Sequence, residues 1–362
     1  MSNISIDFLG FTLKNPLMLT EGPLSGSLEL IKKASKFEIG MIFTKGIRLE
    51  STESPVPYIR KYERSLINAD WSDIGFQEWI RTINSLQIDI PVVTSIAKNY
   101  LNSDTAVEMA VELIKAGSKI ISFVDYDPVQ LVDTVKKARP LIKVPLMVKL
   151  PPFLPNLEDV LKSLVSTGVD AIAAMDSIGP VLSIDIKTGE PIMGSKDGSA
   201  YLSGKCILPV TLKYIYEISR FVDVPVVGVG GVTDYKSAIQ MIMAGATGVG
   251  MVTSPILEGF DIFNKVASGI KECLEEKGLE KVEELRGLTH RKVRERNTST
   301  NLKAEINQAK CASCGLCEKI CYPKAVIIED EKYRIIKEKC VGCGLCASVC
   351  SFDSITFNRR VT

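Results

Sequence analysis

Short apolar runs alternate with longer amphipathic segments along most of the chain. Eight runs have the length and composition of buried strands, and they occupy residues 16–19, 41–44, 92–96, 119–124, 146–150, 171–175, 224–229 and 248–252. Segments such as TAVEMAVELIKAG lie between them and show the i, i+3/i+4 apolar spacing of helices. Strands and helices in this alternation predict an α/β fold, a (β/α)8 TIM barrel. A doubly wound sheet is the alternative, although it seldom needs eight such units.

One interval, between Met175 and Val224, is longer than a single helical connection requires. It contains SIDIKTGEPIM, which predicts a β-hairpin that turns at Thr188 and Gly189. An insertion after a barrel strand lies at the carboxyl end of the barrel, where active sites are built. We therefore expect this hairpin to lie near the functional site.

The composition is that of an ordinary globular protein, with 46% hydrophobic residues, 24% charged residues and a formal net charge of +1. This charge gives no general attraction to nucleic acid or to an anionic membrane. No signal-peptide pattern occurs at the N-terminus, and no apolar run reaches the roughly 18–20 residues of a spanning helix. We expect a cytoplasmic protein with no nucleic-acid or membrane partner. The single histidine, His290, argues against chemistry based on imidazole.

Eight of the ten cysteines form two copies of the spacing C-x2-C-x2-C-x3-C near the C-terminus. In ferredoxins with two [4Fe–4S] clusters, the fourth cysteine of each run ligates the other cluster. The predicted ligands are therefore Cys311, Cys314, Cys317 and Cys350 for one cluster, and Cys340, Cys343, Cys346 and Cys321 for the other. Two zinc sites are the alternative, but zinc gives no reason to duplicate a run of four cysteines.

These patterns divide the chain into a large domain and a small one. We predict the barrel at 1–290, a basic and polar linker at 291–305, and a small α+β bacterial-type 2[4Fe–4S] ferredoxin domain at 306–362. The segments AVIIED and YRII between the cysteine runs predict short strands. The Lys/Arg-rich linker is more typical of a solvated connection than of a nucleic-acid site.

A phosphate-binding signal follows the seventh predicted strand. Gly230 and Gly231 end this strand just before a helix that Thr233 or Asp234 could cap. Glycines at such a position let a phosphate approach bare N–H groups near a helix start. The next strand ends near Thr253, and the loops after strands seven and eight form the usual phosphate site of barrels. Taken alone, two ordinary glycine-containing turns explain the pattern as well.

The order of the motifs resembles the dihydroorotate dehydrogenase family, including the related flavin domain of dihydropyrimidine dehydrogenase. The matching segments include FTKGIRLE, SLINADWSDIGF, MVKLPP, AMDSIG, LSGKCILP, GVGGV and AGATGVGMVTS, and they run in order over about residues 5–290. The resemblance implies a (β/α)8 barrel that binds FMN non-covalently at the carboxyl ends of its strands. Dihydropyrimidine dehydrogenase also carries a two-cluster module after its flavin domain.

The resemblance also implies which residues contact FMN. Lys149 is similar to the lysine beside the N1/O2 edge of the flavin, where a cation stabilises the reduced form, and we count it as catalytic as well. The other cofactor-binding residues implied are Thr20, Lys45, Asn68, Asp176, Ser203, Gly204, Gly230, Gly231 and Thr253. From the residues alone, Lys149 could equally be a strand-end lysine with a solvated head group, and Lys45 and Asn68 could be ordinary surface polarity.

The chain departs from the family pattern in its substrate-binding segments. The family carries a segment similar to N-x-S-C-P-N after the fourth strand, which supplies an acid/base residue and pyrimidine-binding asparagines. This chain has FVDYDPVQ there, Asp176 replaces a family asparagine, and Thr20-Glu21 replaces an Ala-Ser pair. Because recognition of one ring depends on such amide groups, we expect a substrate other than dihydroorotate.

A proton donor or acceptor is still required for chemistry at a C–C bond. By position, Tyr126 with its neighbour Asp125 is the predicted acid/base group. A capping aspartate and a packing tyrosine in a shortened loop explain these residues equally well. Glu21 is a second candidate, whereas Cys206 is more typical of a small packing residue.

Together these features predict an iron–sulfur flavoenzyme that passes electrons between two [4Fe–4S] clusters and FMN. It would reduce or oxidise a C–C bond, such as the C=C bond of an activated alkene, in a small substrate that can be cyclic. Because no G-x-G-x-x-G fingerprint supports direct NAD(P)H binding, we expect a ferredoxin or a separate flavin/NAD(P)H reductase subunit as electron partner. We also expect a homo-oligomer. The alternatives are a dihydropyrimidine dehydrogenase catalytic subunit and a non-catalytic electron-transfer subunit of a larger redox complex.

Overall fold

The computed structural model describes residues 2–69, 73–98, 101–295 and 302–357. The chain forms two compact units, Met1–Arg294 and Glu295–Thr362, and each is described by itself.

Eight parallel strands close into a barrel in the first unit, which confirms the predicted (β/α)8 fold. In chain order the strands of this unit are β1 Ile6–Phe8, β2 Phe11–Leu13, β3 Leu17–Leu19, β4 Met41–Phe43, β5 Ile59–Tyr62, β6 Ser65–Asn68, β7 Val92–Ala97, β8 Ile121–Val124, β9 Leu146–Leu150, β10 Ala171–Ala174, β11 Ile178–Val181, β12 Ala200–Gly204, β13 Val226–Val229 and β14 Gly248–Met251. The barrel consists of β3, β4, β7, β8, β9, β10, β13 and β14, with β14 paired to β3. These eight correspond to the eight predicted runs.

Helices surround the barrel because each parallel strand needs a crossover connection to the next one. They are α1 Leu28–Ala34, α2 Phe76–Asn84, α3 Ser103–Lys115, α4 Pro128–Ala138, α5 Leu157–Ser166, α6 Leu208–Phe221, α7 Tyr235–Met243, α8 Thr253–Glu258, α9 Asp261–Glu276 and α10 Leu288–Arg294. The barrel strands are buried on both faces, which explains their continuous apolar runs. Within the described ranges, no helix is both long enough and apolar enough to cross a membrane.

A second, antiparallel sheet in this unit has the strand order β11-β12-β6-β5. Asn68 at the end of β6 pairs with Tyr201 of β12, so the insertion after β10 is tied to the segment after β4. The predicted hairpin is confirmed in this insertion: the Asp185 N–H donates to the Glu190 carbonyl at 2.9 Å. Gly189 has a φ of 76° in its turn, a conformation that glycine adopts without strain.

The segment predicted as a linker, 291–305, is partly structured. Helix α10 continues to Arg294, and its His290 ring stacks on Tyr216 of α6, with ring centroids 4.3 Å apart. At the other end a strand begins at Ala304, where its backbone pairs with Phe357. The middle of the predicted linker, 296–301, lies outside the described residues.

The second unit contains two small antiparallel sheets and two short helices. The strands are β15 Ala304–Ile306, β16 Val326–Glu329, β17 Lys332–Ile335 and β18 Ile355–Phe357, and the helices are α11 Leu316–Lys319 and α12 Leu345–Ser348. The strands predicted between the cysteine runs are thus present as β16 and β17. Each helix begins after a glycine with positive φ, Gly315 at 76° and Gly344 at 86°, inside a cysteine run. The unit is therefore built from two similar halves.

Candidate active site and cluster sites

A cavity of about 650 Å³ lies at the carboxyl ends of the barrel strands. Its wall contains residues that follow or end β3, β4, β7, β8, β9 and β10, because all strands of a parallel barrel end on the same side. Seven residues that the sequence singled out line this cavity: Glu21, Lys45, Asn68, Asp125, Tyr126, Lys149 and Asp176.

A narrower cavity of about 70 Å³ shares part of this wall, including Lys149 and Asp176. Its remaining lining includes the other predicted cofactor-binding residues, Ser203, Gly204, Gly230, Gly231 and Thr253. Thr20 is the exception, since it is fully buried with its side chain against Gly250. The structure therefore brings all the predicted site residues of the barrel except Thr20 to two adjoining cavities.

Lys149 lies on β9 between two carboxylates. Its Nζ is 3.0 Å from Oε2 of Glu21 and 3.6 Å from Oδ1 of Asp176, and the Lys149 side chain is only 5% exposed. Burial lowers the pKa of Lys149, but attraction to Asp176 and Glu21 outweighs it and holds this pKa above its usual value. Lys149 therefore stays charged at neutral pH. It carries one positive charge, and two acidic side chains lie beside it.

Two hydroxyl groups extend the ion-pair group of Glu21, Lys149 and Asp176, one at each end. The Ser95 hydroxyl donates to Oε1 of Glu21 at 3.0 Å, deep in the barrel. The Tyr126 hydroxyl donates to Oδ2 of Asp176 at 3.0 Å, and Tyr126 is 40% exposed in the larger cavity. A continuous polar chain thus runs from the cavity surface through Asp176, Lys149 and Glu21 to the barrel interior.

Asp125 has a different environment from its neighbour Tyr126. Its Oδ2 is 3.1 Å from the Lys98 ammonium, and both side chains are almost fully buried. Its Oδ1 accepts the Asp127 N–H at 3.0 Å, and the Asp127 side chain in turn caps α4. These contacts give Asp125 a structural environment, since its charge is already balanced by Lys98.

Lys45 and Asn68 are both buried at the edge of the larger cavity, not exposed surface groups. The Lys45 ammonium lies 3.9 Å from Oδ1 of Asp73. Asp73 also accepts hydrogen bonds from the Trp79 indole at 3.0 Å and from the Arg48 N–H at 2.9 Å. The aspartate thereby fixes the segment after β4 that carries Lys45.

The narrow cavity has the features of a phosphate cradle. Gly230 and Gly231 have φ values of 114° and 90°, and α7 begins shortly after them with an Asp234 capping box. A Cβ on Gly231 would lie 2.5 Å from the Leu208 Cα, so only glycine fits there. The Ser203 and Thr253 hydroxyls line the same cavity 2.9 Å apart, so one donates to the other and the second can donate to an anion.

The eight cysteines of the second unit surround two small cavities. One is lined by Cys311, Cys314, Cys317 and Cys350, and the other by Cys321, Cys340, Cys343 and Cys346. Each cavity thus takes three cysteines from one run and the fourth cysteine from the other run. This is the grouping that the ferredoxin spacing predicts.

A barrel with a phosphate cradle beside a buried lysine, joined to a module with two four-cysteine cavities, defines the class of iron–sulfur flavoproteins. Comparison with known proteins agrees with this class. The model of the family described as dihydroorotate dehydrogenase matches residues 3–274, and that of a 4Fe-4S dicluster domain matches residues 304–357. The chain belongs to the dihydroorotate dehydrogenase family.

Individual relatives share this family. The chain is 32% identical over 300 residues to the dihydroorotate dehydrogenase B (NAD(+)) catalytic subunit of Methanocella arvoryzae, in an alignment that covers 79% of this chain and 97% of the relative. It is 28% identical over 306 residues to the protein of the same name from Pyrococcus furiosus, which covers 80% of this chain and 99% of the relative. Each alignment leaves about a fifth of this chain uncovered.

The protein is accordingly an oxidoreductase that acts on CH–CH groups, with FMN and two [4Fe–4S] clusters as cofactors. The residues present fit these groups. Gly230, Gly231, Ser203 and Thr253 could hold the FMN phosphate, because they offer bare backbone and two hydroxyls near the start of α7. Lys149 in the shared wall could face the flavin ring, and the two groups of four cysteines could each hold one cluster.

Sequence reasoning missed two partners in this site. Glu21 is predicted there as a second candidate for the proton donor or acceptor, whereas the structure shows it in an ion pair with Lys149. Sequence reasoning did not identify Lys98, which balances Asp125. The sequence indicates only the location of both residues: Glu21 follows β3 and Lys98 follows β7, so both lie at the carboxyl end of the barrel. It does not indicate which side chains they pair with.

A stability measurement tests the structural environment of Asp125. We expect Asp125→Ala to lower the free energy of unfolding by about 3–5 kcal/mol, because it leaves the buried Lys98 ammonium uncompensated. Chemical denaturation followed by far-UV circular dichroism measures this change. The double variant Lys98→Met/Asp125→Ala should recover much of the loss. Abolished turnover with unchanged stability in Asp125→Ala would instead indicate a catalytic role.

The phosphate cradle is tested with a matched pair of glycine variants. We expect Gly231→Ala to retain FMN at least about tenfold less tightly, because its Cβ would collide with Leu208 beside the cradle. Gly259→Ala is the control, since Gly259 has a similar φ of 83° but open space around a Cβ. It should lose about 1 kcal/mol of stability from backbone strain and bind FMN normally. Equal FMN affinity in both variants would contradict the placement of the phosphate. Fluorescence titration of the deflavinated proteins measures the affinity.

Proposed function

We propose that this protein passes electrons between its two clusters and FMN, and so reduces or oxidises a C–C bond of a small substrate in the 650 Å³ cavity. Membership of a CH–CH oxidoreductase family supports the reaction class, and the dicluster domain supports one-electron delivery. When bound, FMN supplies the exchange between one-electron transfer and two-electron hydride chemistry. We further propose that the substrate is not dihydroorotate.

The charge around Lys149 is the observation that carries the substrate part of this proposal. Glu21 and Asp176 lie 3.0 and 3.6 Å from the Lys149 ammonium in the cavity wall. Dihydroorotate carries a carboxylate, and a negatively charged group is repelled where buried carboxylates outnumber the cation between them. The wall at this point favours a neutral substrate or one that donates hydrogen bonds.

Proton transfer to or from the substrate carbon is assigned to Tyr126. Its hydroxyl faces the larger cavity and donates to Asp176, so it can accept a proton from a substrate while passing its own to Asp176. In the reducing direction the same path runs backwards, from Asp176 through the hydroxyl to the substrate. Asp176 is then the proton-relay partner of Tyr126, and its other carboxylate oxygen lies 3.6 Å from the Lys149 ammonium.

The electron partner is proposed to be a separate protein, either a ferredoxin or a flavin/NAD(P)H reductase subunit. The relatives described above bear the name catalytic subunit, which supports an enzyme of more than one kind of subunit. The dicluster domain supplies a surface-accessible redox module for such a partner, because Cys314 and Cys343 are exposed.

Dihydroorotate itself remains the second candidate substrate, on two observations. The relatives named above are dihydroorotate dehydrogenases, and the cavity retains Lys45, Arg48 and Asn68 along one side. Two cations and an amide could bind a carboxylate and a ring there. Binding of dihydroorotate would depend on Lys45, Arg48 and Asn68, whereas binding of a neutral substrate would depend on the acidic residues around Lys149.

Anaerobic stopped-flow mixing distinguishes the two candidates. The oxidised holoprotein is mixed with dihydroorotate, and the dithionite-reduced holoprotein with orotate or uracil, while flavin absorbance is followed. We expect no flavin reduction by dihydroorotate and no reoxidation by orotate at rates above those of a heat-denatured control. Rapid reduction by dihydroorotate would overturn the substrate proposal. Rapid reoxidation by uracil would instead favour a dihydropyrimidine dehydrogenase activity.

The role of Tyr126 is tested with whichever alkene reoxidises the flavin most rapidly in a screen of small activated alkenes. Tyr126→Phe should slow this step by about a hundredfold or more, because it removes the proton-transferring hydroxyl. Electron exchange between dithionite, the clusters and the flavin should be unchanged. Tyr201→Phe is the matched control, since the Tyr201 ring lies 6.5 Å from that of Tyr126 at the same cavity. Equal effects of both substitutions would contradict the assignment.

A further inference from the structure

The two halves of the cluster domain have corresponding turns after their fourth cysteines. In one half the Lys324 N–H donates to the Cys321 carbonyl at 2.9 Å, and in the other the Asp353 N–H donates to the Cys350 carbonyl at 3.4 Å. Lys324 and Asp353 have nearly the same positive φ, 50° and 45°. The residue that follows each turn, four positions after the cysteine, therefore occupies the same place in both halves.

These corresponding positions hold different residues, Ala325 and Ser354. Both are buried, with 1% and 2% of their surface exposed. The Ala325 N–H lies 3.3 Å from the Cys321 Sγ. The Ser354 hydroxyl lies 3.1 Å from the Cys350 Sγ. Alanine has no hydroxyl, so this side-chain contact to sulfur exists in one half and has no equivalent in the other.

The direction of the Ser354 contact follows from the chemistry of the ligand. A cysteine that binds iron is a thiolate, which has no hydrogen to donate, so Ser354 must be the donor to Cys350. A hydrogen bond to a cluster sulfur stabilises negative charge there. Reduction adds one electron to the cluster, so such a bond favours the reduced state and raises the reduction potential. Burial strengthens the effect because the Ser354 hydroxyl, only 2% exposed, is withdrawn from water.

We propose that Ser354 raises the reduction potential of the cluster held by Cys311, Cys314, Cys317 and Cys350, and that Ala325 leaves the other cluster without this contribution. Each cluster exchanges one electron, supplied or removed by the electron partner or the flavin, and no bond to iron is formed or broken. The inference rests on the dicluster domain and not on the identity of the substrate.

A cation in the other half acts on the other cluster. The Lys303 ammonium donates to the Cys340 carbonyl, beside the cavity that includes Cys321. A positive charge at that point also favours the reduced state. Ser354 therefore shifts the reduction potential of one cluster, and Lys303 contributes separately to the reduction potential of the other.

The functional consequence is a difference between the reduction potentials of the two clusters. Two clusters of equal potential share a single electron equally, whereas a side-chain hydrogen bond to one of them makes that cluster the preferred site of the electron. A tenfold bias corresponds to about 59 mV for one electron. One serine hydroxyl is thus sufficient to alter the distribution of electrons within the domain.

The test is a redox titration of the full-length holoprotein, monitored by low-temperature EPR of the reduced clusters. Ser354→Ala should shift half of the total cluster signal to more negative potentials, by an amount equivalent to a threefold to tenfold change in the reduction equilibrium, about 28–59 mV. The other half should titrate as in the wild-type protein. The reciprocal variant Ala325→Ser should move the other half of the signal, and to more positive potentials. Iron and sulfide analysis confirms that every variant retains both clusters.

Rescue by a conservative change separates electrostatic tuning from a packing role. Ser354→Thr keeps the hydroxyl and should restore the wild-type titration, whereas Ser354→Ala should not. The proposal is overturned if Ser354→Ala titrates like the wild type, or if both halves of the signal move together. It is also overturned if the threonine variant behaves like the alanine variant. The flavin absorbance in each variant should be unchanged, because no cofactor of the barrel is altered.

Discussion

The ion cluster of Lys149 with Glu21 and Asp176 is the constraint on which the account of the active site depends. A buried ammonium is tolerated only when its charge is balanced, and here two carboxylates balance it within 3.0 and 3.6 Å. They come from β3, β9 and β10 regions that are distant in sequence, so closure of the barrel is what brings them together. The same closure places the glycines after β13 and the hydroxyl of Thr253 beside them. Fold and site chemistry are therefore parts of one arrangement.

The ion-pair group of Lys149, Glu21 and Asp176 also includes residues at which the chain departs from the family pattern. Glu21 stands in place of a small residue, Asp176 in place of an amide, and Tyr126 in a segment that otherwise supplies the acid/base group. In the structure these three substitutions are linked through hydrogen bonds and an ion pair rather than scattered over the cavity. Glu21, Asp176 and Tyr126 therefore form one connected polar group in the cavity wall, with Lys149 at its centre.

Much of this could be predicted from the sequence because the determining patterns are local. Each barrel strand is a short apolar run, and each cluster cavity follows from the spacing within a cysteine run plus one exchange of the fourth cysteine. The pairing of Lys98 with Asp125, and of Glu21 with Lys149, could not be obtained in this way, because it depends on which side chains meet across the barrel. Asp125 and Tyr126 are adjacent in sequence, yet Asp125 pairs with Lys98 and Tyr126 with Asp176, and no local pattern distinguishes these partners. The barrel domain is predicted to end at residue 290, and the structure carries helix α10 to Arg294, with His290 stacked on Tyr216, a contact that no local pattern reveals.

Two carboxylates, and not the lysine alone, set the charge of the cavity wall around Lys149, the residue that could face the flavin ring. The most direct measurement is the midpoint potential of bound FMN in the wild-type holoprotein and in Glu21→Gln, by anaerobic spectroscopic titration. Glutamine keeps the size of Glu21, and its amide oxygen can still accept from Lys149 while its NH2 group donates to the Ser95 hydroxyl. It removes the negative charge, which should favour the electron-rich reduced flavin. The account predicts a more positive potential in Glu21→Gln, with FMN still bound. An unchanged or more negative potential would contradict it.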